Sequence, residues 1–169
     1  MTVTRITGPR IQAATLFFLA FVLLAGCSSN KSRVGSLFNA DTDVHLTLIA
    51  DGYINPGHQG DAAPLFIRLY ELKSGDAFRR ASFIDLYENA ETVLGNDLLN
   101  QRQLSRVAPG ESREEKLVLS RDTRYIGLFA EFYDYDDAAY HLVVPVVMHN
   151  VRRNQVKVHV AGNRLQLIQ

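Results

Sequence analysis

Between residues 44 and 50 apolar and polar positions alternate, with Val44, Leu46, Leu48 and Ala50 on one face and His45 and Thr47 on the other. That period of two predicts a half-buried β-strand. Residues 65–72 repeat it, Leu65, Ile67 and Leu69 standing against Phe66, Arg68 and Tyr70. Between the two runs lie Asp51, Gly52, Tyr53, Ile54, Asn55, Pro56, Gly57, His58, Gln59, Gly60 and Asp61. Two glycines after a proline, with Asn and Asp, disfavour either regular element and predict a loop of about a dozen residues. A hairpin needs fewer, and long ordered loops are often functional.

The period then lengthens. Phe83, Leu86, Tyr87, Ala90 and Leu94 fall at helical spacing. Ser82 is placed to cap the start, with the acid Asp85 three residues on, and Gly95 to stop the helix. Turn-rich flanks at Ser74, Gly75 and Asp76 and at Gly95, Asn96 and Asp97 bound a helical insertion over about residues 75–99. Strand signals resume at residues 115–119 and at 125–133, where Ile126, Leu128, Ala130 and Phe132 share a face. Residues 140–148 are strongly apolar, but Pro145 marks them as an edge strand or a bulge. Residues 156–160 and 165–167 alternate across Gly162 and Asn163, a hairpin signature. Short strands with regular turns and one helical excursion predict an all-β fold, a β-sandwich with a small helical insertion.

The start of the chain follows a different pattern. Arg5 and Arg10 with no acidic residue precede an apolar run, residues 11–24, broken only by Gln12 and Thr15. This is the charged-then-apolar order of a signal peptide. At roughly 14 residues the run is too short for a membrane-spanning helix, which needs about 20. It ends in Leu24, Ala25, Gly26 and Cys27, which resembles the bacterial lipobox. Small residues let a peptidase draw the extended chain through a narrow site, and the thiol is the nucleophile that receives the diacylglyceryl group. Cys27 is the sole cysteine. The expected organisation is a cleaved signal peptide (1–26), a lipidated Cys27 with a flexible tether (27–40), and one β-sandwich domain (41–169). Ser28 rather than an aspartate follows the cysteine, which by analogy with enterobacterial lipoprotein sorting favours the periplasmic face of the outer membrane. Several acyl chains anchor firmly where one does not, at about 0.8 kcal/mol per buried CH₂.

Charge and candidate chemistry narrow the function. Lys+Arg and Asp+Glu are equal at 18 each, which gives no electrostatic footprint for nucleic acid. With Cys27 acylated no thiol remains for a disulfide, so stability rests on burial and hydrogen bonds. His45, His58, His141, His149 and His159 show no helical pair spacing of a zinc motif. The acidic run Asp134, Asp136 and Asp137 lacks the glycine and distal glutamate of a calcium loop. No serine sits in a nucleophile elbow. Glu71 and Glu131 form a catalytic pair only if the fold brings them together. The expectation is no enzyme, no metal, no cofactor and no small-molecule substrate. Tyr53 and Ile54, in a polar loop stiffened by Pro56, suit a partner contact with little entropy to lose. Equally, Tyr53 suits closing the sandwich over its own core.

Asn55-Pro56, the run Pro64 to Leu72, Phe83 to Glu88, Leu94-Gly95, Pro109-Gly110-Glu111 and the run Tyr125 to Tyr133 together resemble the TssJ (SciN-like) lipoprotein family of type VI secretion systems. The order and spacing of the pieces carry the resemblance from the lipobox to nearly the last strand. It implies a transthyretin-like β-sandwich and a non-catalytic, outer-membrane-anchored subunit that grips the periplasmic domain of the inner-membrane protein TssM. It also implies that the loop between the first two strands, here about residues 51–63, touches that partner. The candidate contact residues are Tyr53, Ile54, Asn55, Pro56, Gly57, His58, Gln59, Gly60 and Asp61. A periplasmic ligand-binding lipoprotein with a transthyretin-like domain is the alternative; it requires a concave apolar pocket. An envelope hydrolase using carboxylates stands third.

Overall fold

The structure, a computed structural model, describes residues 42–147 and 154–168. The signal peptide, Cys27, the tether, the end of the 140–148 run and His149 lie outside the described residues.

Strand β1 (Thr42–Ile54) buries Thr42, Val44, Leu46, Leu48 and Ala50 and turns the intervening side chains outward. It pairs antiparallel with β4 (Ser112–Leu119) and parallel with β7 (Asn154–Gly162), which pairs in turn with β8 (Arg164–Ile168). These strands form one sheet in the order β4-β1-β7-β8. The second sheet runs β3-β2-β5-β6, from β3 (Leu98–Gln103), β2 (Ile67–Leu72), β5 (Tyr125–Ala130) and β6 (His141–Pro145), antiparallel throughout. Leu46, Leu48, Ile67, Leu69, Ile126, Leu128 and Val158 fill the space between the sheets and are fully buried. Each such side chain contributes about 1.5–3 kcal/mol on burial. The fold is the expected β-sandwich with a helical insertion. β6 lies at a sheet edge, as Pro145 requires.

Three differences from the pattern-based expectation have physical reasons. β1 does not stop at Ala50. Its extension to Ile54 finds backbone partners elsewhere: Gly110 N–H donates to Asp51 O (2.9 Å), and the pairing with β7 resumes at Ile54 after a bulge. Tertiary pairing overrides the weak strand preference of Asp51 and Gly52. β3 was absent from the expectation because four of its six residues are polar and neither its apolar positions nor its exposures alternate. The single expected helix is three short ones, α1 (Asp76–Arg80), α2 (Phe83–Glu88) and α3 (Ala90–Leu94).

The helical boundaries follow local chemistry. Ser82 Oγ accepts from Asp85 N–H (3.2 Å), and Asp85 Oδ2 accepts from Ser82 N–H (3.1 Å), the reciprocal capping box. Those hydrogen bonds hold the Asp85 carboxyl below the usual aspartate range. Gly95, at φ +48°, ends α3 in a conformation that favours glycine. The insert lies over the outer face of the second sheet, where Phe78, Phe83, Leu86 and Leu94 pack with Tyr70, Leu72 and Phe129. Burial on both faces explains why residues 125–130 read as an almost unbroken apolar run.

Gly127 sits beneath the Phe78 ring, where a Cβ would lie 2.8 Å from two ring carbons. Gly127→Ala is therefore expected to lift α1 and cost about 1–3 kcal/mol, read as a lowered urea midpoint. An unchanged midpoint would show that the insert shifts freely over the sheet.

Opposite the insert's layer, the inner face of β2 ends in a charge. The Glu71 side chain is buried within the sandwich and ion-paired with Arg102. Its oxygens also accept from Ser120 N–H (2.7 Å), Asn100 Nδ2 (3.1 Å) and Thr123 Oγ1 (3.2 Å). Burial pushes the carboxyl up, but the hydrogen bonds from Ser120, Arg102 and Asn100 outweigh it and hold the group below the ordinary glutamate range. Glu131 is elsewhere, on the outer face at the other end of the sheet, bound to Arg68 at 2.6 Å. The two carboxylates do not share a cleft.

Candidate partner-binding loop

The β1–β2 connection leaves one pole of the sandwich, beside the β5–β6 connection and the β7–β8 turn. Its neck is built from Ile54 and Asn55. Ile54 is fully buried, because the strand's last side chain turns into the core. Asn55 takes φ +46°, a conformation that Asn tolerates better than most residues. Its Nδ2 donates to Pro64 O (3.0 Å), its Oδ1 accepts from Tyr133 N–H (2.7 Å) and its own N–H donates to Gly162 O (3.0 Å). One residue thus ties the loop's two ends together and joins them to both neighbouring connections.

The tip is a second, smaller closure. Gly57 N–H donates to Asp61 O (3.0 Å) and Gly60 N–H to Gly57 O (2.8 Å), with Gly60 at φ +80°. His58 meets the Tyr133 ring edge-on, centroids 4.4 Å apart. Pro56, Gly57, His58, Tyr133 and Asp134 line a surface hollow of about 410 Å³. Tyr53 and Tyr133 are 55% and 51% exposed, which settles that neither closes the core.

The nine sequence-derived candidates therefore divide. Tyr53, His58, Gln59, Gly60 and Asp61 are exposed, and Pro56 and Gly57 are half-buried at the rim. Ile54 and Asn55 are buried, so they hold the loop from beneath and present no side chain to a partner. Tyr133 and Asp134 were not among the candidates. Their signal was an aromatic next to an acidic run, but nothing in the sequence places that run against residues 56–58. Of the histidines, His159 pairs with Asp51 (2.8 Å) at the same pole and His141 contacts Arg79 O (3.3 Å) by the insert. Among the described residues no three His, Cys, Asp or Glu side chains gather as a metal-holding group.

Two packed four-stranded sheets, a helical flap and a latched polar loop define the class: a β-sandwich domain whose distinctive surface lies at one pole. The family is more specific. The Type VI secretion lipoprotein family, whose description names VasD, EvfM and TssJ, matches residues 42–163, and the chain belongs to it. The T6SS lipoprotein TssJ1 from Pseudomonas aeruginosa is 34% identical, covering 76% of this chain and 95% of its own, with a TM-score of 0.69. Serratia marcescens Lip, described as a membrane-bound component of the type VI secretion system, is 26% identical over 76% of this chain and 98% of its own, with a TM-score of 0.68. A chain of the structure described as the TssM C-terminal domain from EAEC is 22% identical over 75% of this chain and 98% of its own, with a TM-score of 0.61, and shares the fold. No curated protein matches the chain.

Proposed function

We propose that this lipoprotein is a non-catalytic anchor subunit of the type VI secretion membrane complex. Acylated Cys27 holds it to the periplasmic face of the outer membrane after residues 1–26 are removed, and residues 27–40 serve as the tether. Residues 41–169 form the domain that grips the periplasmic domain of the inner-membrane protein TssM. The contact is made by Tyr53 at the end of β1 together with the loop residues Pro56, Gly57, His58, Gln59, Gly60 and Asp61.

The observation that carries this reading is the course of β1. The chain enters the described fold at Thr42 and reaches the loop neck at Ile54 in one strand of 13 residues. At about 3.3 Å per residue the strand spans roughly 40 Å. The end continuous with the tether and the end that bears the loop are therefore opposite poles. The Asn55 latch stiffens the loop-bearing end and so limits the entropy lost on binding a partner.

The test is binding of the full-length lipoprotein, purified in detergent, to the periplasmic domain of TssM from the same cell. Replacing residues 57–61 with a glycine-serine run spares the Asn55 latch. It is expected to weaken affinity about tenfold or more, the loss of one or two anchor side chains, with the thermal midpoint unchanged. Equal affinity of the two forms would move the contact off this loop.

A further inference from the structure

We infer that the hollow between the β1–β2 and β5–β6 connections receives a cationic side chain, arginine or lysine, of the protein partner. The inference rests on the anchor reading above and adds to it a second loop and a chemistry. Three observations carry it.

The walls are aromatic and meet at a corner. The Tyr133 and His58 rings stand 84° apart with centroids at 4.4 Å, and both residues are exposed to solvent. An open phenol face attracts a guanidinium or ammonium group through the ring quadrupole, and guanidinium also stacks flat on it. Pro56 and Gly57 complete the wall without adding a charge.

A carboxylate stands at the rim. Asp134 lines the hollow, and its backbone oxygen accepts from Asn163 Nδ2 (3.0 Å). That bond fixes the residue's main chain and leaves its carboxylate exposed. An aromatic face beside a carboxylate is a pairing that suits a cation and repels an anion.

The two connections that form the hollow have the matching sign. Residues 51–66 and 131–140 carry six carboxylates, from Asp51, Asp61, Glu131, Asp134, Asp136 and Asp137, and no Lys or Arg. Asp51 is paired with His159 and Glu131 with Arg68, and the other four are exposed. A chain balanced overall thus concentrates carboxylates on the two connections that line the hollow, with Arg164, just after the adjoining β7–β8 turn, an exposed cation beside them. The excess of negative charge steers a basic segment toward the hollow. The Asn55 bond to Tyr133 N–H (2.7 Å) keeps the two loops in register, so the hollow exists before the partner arrives.

The test uses full-length protein in detergent and two probes. The first is the TssM periplasmic domain. Tyr133→Ala and Asp134→Asn should each weaken binding about tenfold, Tyr133→Phe should bind as wild type, and wild-type affinity should fall as sodium chloride is raised. The second is the capped peptide acetyl-Gly-Arg-Gly-amide against acetyl-Gly-Glu-Gly-amide, followed by NMR at the Tyr133 and His58 rings. Only the arginine peptide should shift those signals, and Tyr133→Ala and Asp134→Asn should remove the response. If TssM binds and neither variant weakens it, the inference is overturned and the anchor reading survives. If TssM does not bind, the anchor reading falls, and the peptides decide: selective shifts keep the cation site, and their absence removes it.

Discussion

Replacing Cys27 with alanine is expected to abolish fatty-acid incorporation and to empty the outer-membrane fraction of this protein. The apolar run at residues 11–24 is too short to span a bilayer, so it offers no stable alternative anchor there. The sandwich carries its apolar surface inward. The exposed large hydrophobic residues among those described are spread over several elements, including Tyr53 on β1, Phe66 before β2, Ile84 and Tyr87 on α2, Val118 on β4, Tyr133 after β5 and Leu167 on β8. Side chains scattered in this way give little bilayer affinity. Membrane attachment is then expected to depend on acyl chains carried by Cys27. One chain binds reversibly, with an association constant of about 10⁴ M⁻¹, and added chains make attachment durable. Without the thiol the precursor either stays uncleaved at the inner membrane or is released, and in neither state does it reach the outer membrane. Labelled palmitate uptake and membrane fractionation read both consequences. An alanine variant that still sediments with the outer membrane at the wild-type level would place the anchor elsewhere in the chain.

The fold was legible where one face of an element is dry. Val44, Leu46, Leu48 and Ala50 announce β1 because their faces are buried while His45 and Thr47 stay half-exposed. The insert was legible at its caps, since Ser82, Asp85 and Gly95 act on backbone within a few residues of themselves. β3 was not legible: Leu98–Gln103 is an edge strand whose partners lie in β2, and its side chains carry no period. The break between α2 and α3 at Asn89 was hidden because Leu86, Ala90 and Leu94 still point toward the same core.

The site divides along the same physical line. The loop's length and Tyr53 could be read from composition, because glycine, proline and an aromatic among polar residues act locally. The latch could not. Asn55 bonds to Pro64 O nine residues away and to Tyr133 N–H 78 residues away, and only closure of the second sheet brings that second partner near. For the same reason Ile54 read as a surface anchor when it is core. Tyr133 and Asp134 read as a strand end and a turn when they are the far wall of the hollow.

Removing the buried carboxylate of Glu71 should cost the sandwich a large share of its stability. Glu71→Ala strips the acceptor from Ser120 N–H, Thr123 Oγ1, Asn100 Nδ2 and Arg102 at once. Breaking a buried ion pair from one side costs about 3–5 kcal/mol. Arg102 is one-third exposed and can turn to water, so the lower end, about 3 kcal/mol, applies. In a domain of this size that is a fall in thermal midpoint of about 10 °C. Glu71→Gln keeps one neutral acceptor and should lose about half as much. The pH dependence separates charge from shape. The folded carboxyl lies below its ordinary value, so the unfolded chain binds the proton more readily. The stabilisation is complete above the unfolded glutamate value, near about 4.3, and is lost as pH falls through the lower folded one. Wild type and Glu71→Gln should therefore differ in urea midpoint at neutral pH and converge in acid. A constant gap across that range would mean that the side chain's shape, and not its charge, joins β2 to β3 and to the turn at Ser120.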